Sequence, residues 1–126
     1  MVAIIGGGFI SNIHAQCYKN LGVKIEAMAD ISEDVRKDFT IKYGCKTYNS
    51  AEEMLKDTSD NIEIVDICAP TYLHEELILL ALKYNKHIIC EKPLSINLNF
   101  VYNIINKLKE SNRYLMVAQV LRFWTE

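Results

Sequence analysis

The sequence predicts an α/β fold built on a doubly wound, mostly parallel sheet with helices on both faces. Three observations carry the prediction. Short β-branched runs alternate with longer segments of helical period along the whole chain. The runs are mainly apolar on both faces, as strands covered on both sides are, with Lys24 and Glu26 alternating outward at the start of the second. At 126 residues, with 50% apolar side chains, the chain has the size of about one domain and can bury a real core.

The elements follow in order. Val2-Ala3-Ile4-Ile5 is an apolar strand that ends at Gly6-Gly7-Gly8, and a helix follows from Ser11 to about Asn20. Val23 to Ala29 reads as the second strand. Ser32 suits an N-cap, and Glu33 and Asp34 favour the positive end of the helix it opens. That helix runs to about Tyr43, where Gly44 stops it. Cys45 to Tyr48 is a short strand, and Ser50-Ala51-Glu52-Glu53 has capping-box spacing before a short helix. Glu63 to Cys68 is the next strand, with Ala69-Pro70-Thr71 as its exit loop and a helix from about Leu73 to Tyr84. His87 to Glu91 is a strand, Lys92-Pro93 a loop, and Asn97 to Glu110 a helix with Val101, Ile104, Ile105 and Leu108 on one face. Leu115 to Leu121 closes the series as a last strand. Right-handed crossovers between such strands give a Rossmann-type sheet.

Composition removes several classes of function. Lys and Arg number 14 against 16 Asp and Glu, with no basic block, so nothing marks a nucleic-acid surface. No apolar window is long enough to span a membrane. The apolar start lacks a preceding basic residue and is broken by glycines, unlike a secretory signal. The four cysteines form no Cys-x-x-Cys and meet no histidine at ligand spacing, so no metal is expected. Free thiols in a reducing cytoplasm are the expectation. Cys68 and Cys90 end consecutive strands, so they are expected close together, as core packing or as a redox pair.

The first chemical signal is Gly6-x-Gly8-x-x-Ser11 between a strand and a helix. A pyrophosphate needs backbone N–H groups free of side chains at the positive end of a helix, and Gly6, Gly8, Phe9, Ile10 and Ser11 offer that turn. Ser11 stands where Gly or Ala is usual, and its hydroxyl could cap the helix or meet a phosphate. The second signal is Asp30, at the end of the second strand and about 20 residues beyond the glycines. A carboxylate there accepts both ribose hydroxyls and repels a 2′-phosphate, favouring NAD over NADP. Arg36 and Lys37 nearby keep NADP open, and an Asx-type turn into Ser32 is the plainer use of Asp30. A methyltransferase would place an acidic residue just before the glycines, where this chain has Ile4-Ile5.

The third signal is Asp66-Ile67-Cys68-Ala69-Pro70-Thr71-Tyr72-Leu73-His74, followed by His87-Ile88-Ile89-Cys90-Glu91-Lys92-Pro93-Leu94. This pair of segments resembles the Gfo/Idh/MocA oxidoreductases, the glucose–fructose oxidoreductase and inositol dehydrogenase family. Its N-terminal NAD(P)-binding domains carry a Pro-Asn-x-x-His-like loop and then Glu-Lys-Pro. Thr71 replaces the usual Asn, while His74 and Glu91-Lys92-Pro93 match. The resemblance covers essentially the whole chain. It implies that Ala69, Pro70 and Thr71 line the cofactor groove and that Lys92 is the catalytic cation. It also implies that His74, Glu91 and Pro93 lie near the cofactor, with Glu91 either the partner of Lys92 or a strand-end structural residue. A solvated loop cation is the plainer reading of Lys92, and a structural one of His14, His74 and His87.

By the same resemblance, residues 1–120 form the dinucleotide-binding domain and 121–126 begin a crossover to a second, substrate-binding domain. The Asp-x-Gly-x-His-x-x-Asp-like motif of that domain does not occur in this chain. The extra apolar residues Ile78, Leu79 and Leu82 of the fourth helix would then need cover from outside the chain. The expected function is the cofactor half of an oxidoreductase moving hydride between a nicotinamide and a sugar- or polyol-like alcohol or carbonyl, in a chain inactive by itself. Two alternatives stand beside it: a stand-alone nucleotide-binding or redox-sensing module working through a protein partner, and a homo-oligomeric enzyme with its site between protomers.

Overall fold

The computed structural model describes residues 1–124. Six strands form one sheet: β1 (Val2–Ile5), β2 (Ile25–Ala29), β3 (Lys46–Tyr48), β4 (Ile64–Ile67), β5 (His87–Cys90) and β6 (Leu115–Val117). Their order is β3-β2-β1-β4-β5-β6, and every pairing is parallel. The sheet is therefore wholly parallel, and its direction of winding reverses between β1 and β4. Open α/β sheets bind their ligands at such a crevice, outside the carboxyl ends of the strands.

Five helices connect the strands: α1 (Phe9–Asn20), α2 (Glu33–Tyr43), α3 (Ala51–Thr58), α4 (His74–Lys83) and α5 (Leu98–Ser111). Alternate residues of each strand feed two separate layers. Val2, Ile4, Ile25 and Met28 pack with Ala15 of α1 and Phe39 of α2. Ala3, Ile5, Val65, Ile67, Ile88 and Cys90 pack with Met54, Leu55, Ile78, Phe100 and Ile104 from α3, α4 and α5.

The caps follow the sequence. Ser32 accepts the Val35 amide at the start of α2, and Gly44 ends it in the left-handed region at φ 66°. Ser50 Oγ accepts the Glu53 amide at the start of α3 (3.2 Å), and Asn97 Oδ1 accepts the Asn99 amide at the start of α5 (3.0 Å).

Three expectations change. The last strand stops at Val117, not Leu121, because the chain turns at Gln119 into a 3₁₀ turn over Val120–Phe123. Ile78 needs no outside cover, since it is fully buried in the layer under α4. Cys68 and Cys90 pack into opposite layers, so the redox pairing is not built. The crossover expected over 121–126 is described only to Trp124; residues 125 and 126 lie outside the described residues.

Candidate cofactor site

At the crevice, a groove of about 1020 Å³ opens between the glycine turn, the end of β2 and the exit of β4. Three consecutive glycines build its floor. Gly6 has φ +90°, and a Cβ there would sit 2.9 Å from the Ala69 nitrogen, so only glycine lets the turn lie against the β4 exit. A Cβ on Gly7 would collide with Val35 of α2 at 2.1 Å. At Gly8 a Cβ would meet nothing within 4 Å: this position faces open groove. Gly8 is the N-cap of α1, and the first i→i−4 bond is Asn12 N–H to Gly8 O. The amides of Phe9 and Ile10, which line the groove, are thus at the open, positive end of the helix.

Asp30 holds this turn in place. Its Oδ2 accepts the Gly7 amide at 2.7 Å and its Oδ1 accepts the Ser32 amide at 2.8 Å. The Asx turn and the groove position are therefore compatible uses of one carboxylate, since each oxygen keeps a second lone pair. The two cations that kept a 2′-phosphate open are engaged elsewhere. Arg36 Nη1 donates to the carbonyls of Asp30 (2.7 Å) and Ile31 (3.0 Å), and Lys37 pairs with Glu33 at 2.6 Å.

Gly6, Gly8, Phe9, Ile10, Asp30, Ala69 and Pro70 all line the groove. Ser11 does not present its hydroxyl there. The whole residue is buried and its hydroxyl donates to Gly8 O at 2.6 Å, so Ser11 serves the turn rather than the groove. Thr71 lies just outside the lining, in the 3₁₀ turn over Thr71–Leu73. Sequence reasoning missed Ile31, Tyr72, Leu79 and Leu80, which wall the groove, and Asn49, Ser50, Glu76 and Lys83 at its rim. Only Ile31 carried a local signal, as an exposed hydrophobe wedged between Asp30 and an N-cap.

The second loop leaves β5 beside the first. His74 is 1% exposed and spans both loops, with Nε2 at 2.9 Å from Ala69 O and Nδ1 at 3.0 Å from Pro93 O. Its ring is thus occupied by backbone carbonyls and does not reach the groove, correcting the expectation of cofactor contact. Lys92 is exposed, its bond to Pro93 is cis, and its amide donates to Glu91 Oε2 at 3.0 Å. Glu91 is nearly buried and also faces His14 Nε2 at 3.3 Å. None of Glu91, Lys92 and Pro93 lines the groove itself.

Beneath these loops, on the α1 side of the sheet, His14 Nδ1 meets Asp66 Oδ2 at 2.8 Å. Tyr18 donates to the same oxygen at 2.7 Å, and the Cys68 thiol donates to Oδ1 at 3.6 Å. Burial and the Asp66 charge push the Tyr18 and Cys68 values upward, so both stay protonated. His14, Asp66 and Cys68 are metal-ligand types gathered within 4.8 Å, but their atoms are spent on one another in hydrogen bonds.

The model of the oxidoreductase family Gfo/Idh/MocA, an NAD-binding Rossmann fold, matches residues 1–119. The chain belongs to this family. A myo-inositol 2-dehydrogenase of Thermotoga maritima is 35% identical over 124 residues, covering 97% of this chain and 36% of that protein. A levoglucosan dehydrogenase of Pseudarthrobacter phenanthrenivorans is 29% identical over 126 residues, covering 93% of this chain and 32% of that protein. The crystal structure of myo-inositol 2-dehydrogenase from Lactobacillus plantarum superposes with a TM-score of 0.88 at 28% identity, over 98% of this chain and 37% of that one. An oxidoreductase from Agrobacterium radiobacter, solved with NAD+, L-tartaric acid and magnesium, superposes with a TM-score of 0.90 at 24% identity, over 97% and 36%, and at that identity shows the fold alone. The chain spans about a third of the length of the curated relatives it matches.

Residues of this Gfo/Idh/MocA domain fit the family's dinucleotide. The groove-facing amides of Phe9 and Ile10 and the open space at Gly8 have the chemistry a pyrophosphate needs, and the Asp30 carboxylate, which also lines the groove, can accept from a diol. No described helix is long and apolar enough to cross a membrane.

Proposed function

We propose that this chain binds NAD in preference to NADP, as the cofactor domain of an oxidoreductase acting on the alcohol or carbonyl of a sugar- or polyol-like substrate. The observation that carries the reading is Asp30, tied to Gly7 and facing the groove, with Arg36 and Lys37 both engaged away from a 2′-phosphate. The sugar and polyol substrates named for the relatives support the substrate class.

In this reading Gly8 and the amides of Phe9 and Ile10 receive the pyrophosphate, and Asp30 accepts the ribose hydroxyls. Ala69, Pro70 and Tyr72 wall the groove toward the reacting end, where they exclude water. When bound, the nicotinamide supplies the acceptor or donor of hydride. Lys92, on the loop after β5, donates a hydrogen bond to the substrate oxygen and stabilises the negative charge that develops there. Glu91 accepts the Lys92 amide and holds that loop. A second domain completing the substrate site, reached through residues 121–126, belongs to this proposal, as does a homo-oligomer. The unpaired thiols fit the cytoplasm.

Calorimetric titration with NADH and NADPH tests the assignment. NADH is expected to bind more tightly than NADPH, and Asp30→Ala to weaken NADH by roughly tenfold or more, about 1.4 kcal/mol. Absence of NADH binding, or tighter binding of NADPH, overturns it.

A further inference from the structure

His14, in the second turn of α1, is a basic side chain set between two buried carboxylates from two strands. Asp66 of β4 is fully buried, and Glu91, at the end of β5, is 8% exposed. The ring spans them, with Nδ1 on Asp66 (2.8 Å) and Nε2 on Glu91 (3.3 Å), while the other Glu91 oxygen accepts the Lys92 amide (3.0 Å). We infer that His14 is a positioning residue for the Lys92 loop, acting through Glu91.

Both partners of the ring are carboxylate oxygens, which only accept: the bond to Asp66 needs a proton on Nδ1, and the contact with Glu91 is an ion pair only when the ring carries its second proton. The remaining groups around the ring supply no charge to replace it. Tyr18 from α1 and Cys68 from the end of β4 stay neutral, and the Lys92 side chain lies at the surface. The hydrogen bond to Asp66 comes first, and with the charges of Asp66 and Glu91 it outweighs burial, so the His14 value is raised above 6.5.

On deprotonation the ring keeps one N–H. That proton stays with Asp66, which is fully buried and hence the costlier carboxylate to leave short of a donor. Glu91 loses its contact, its carboxylate is freed, and the Lys92 amide loses a fixed acceptor. The histidine thus couples solution pH to the order of the loop that presents Lys92. The catalytic weight of this coupling rests on the role proposed above for Lys92; the coupling itself does not.

The test follows the Lys92 backbone amide and the His14 ring by ¹⁵N NMR through a pH titration of the whole chain, without cofactor. The variants are His14→Gln and Glu91→Gln. The expected result is a Lys92 amide shift whose midpoint matches that of the His14 ring, lies above 6.5, and disappears in both variants. A Lys92 amide with no inflection at the His14 midpoint, or one that keeps its inflection in His14→Gln, overturns the inference. Should His14→Gln fail to fold by circular dichroism, Glu91→Gln decides, since it preserves size: loss of the inflection supports the coupling and retention overturns it. A chain that shows the inflection yet binds no NADH would defeat the proposed function and leave the coupling standing.

Discussion

Gly6, Gly7 and Gly8 are chemically identical and do different work. Gly6 is needed by the backbone, because its φ of +90° and the 2.9 Å approach to Ala69 leave no room for a side chain. Gly6→Ala should therefore cost about 1–3 kcal/mol of stability, read by urea unfolding. Gly8 faces groove, so Gly8→Ala should cost no more than about 1 kcal/mol, the size of a cap effect, while weakening NADH in the same titration. His14 makes a prediction of opposite kind. Its folded value is raised, so the folded chain holds more protons than the unfolded one between pH 6.5 and that raised value. The stabilisation is complete below 6.5 and is lost as pH rises through the folded value. Urea midpoints should fall across this window in the wild type and stay flatter in His14→Gln. The glycines and Asp30 could be found in the sequence because a strand end, a turn and a helix start are local features. His14 and Glu91 could not be joined that way: α1 and β5 meet only through the sheet, and nothing local to His14 marks it as the partner of residues on β4 and β5.

Helices announce themselves by caps and stripes, and the caps here were legible. Ser32, Gly44 and Ser50 stand where their side chains or backbone angles end or begin a helix, while Asn97, read as the first helical residue, proves to be the N-cap of α5. Asn97→Ala removes the acceptor for the Asn99 amide and should cost about 1 kcal/mol. The stripe of α4 was harder to read, because nearly every position from Leu77 to Leu82 is apolar. Ile78 and Ala81 face the core, while Leu79 and Leu80 turn toward the groove, so one helix serves two apolar environments. Ile78→Ala should cost about 2–5 kcal/mol by urea unfolding, the range for emptying a packed site. Strand β6 was overextended in sequence for a related reason. Apolar residues run from Leu115 to Leu121 with only Gln119 between them, but strand pairing ends at Val117, and one polar residue in the run does not mark that end.

Across the whole molecule the strand order places β1 and β4 side by side, so the glycine turn and the loop after β4 converge on one crevice, with the loop after β5 tied to the β4 exit by His74. The same order leaves the sheet unevenly dressed. Helices α1 and α2 cover one face from β3 to β4, and among the described residues no helix covers that face over β5 and β6. Ile89 and Met116 are paired there, with Met116 52% exposed, and β6 is an edge strand. An apolar, open edge of this kind is a template on which a second strand can add, and its shortness is the main restraint against that. The consequence is colloidal: the chain by itself should scatter more light as its concentration rises, and Met116→Lys, which places a charge in the middle of that edge, should suppress the scattering without changing the affinity for NADH.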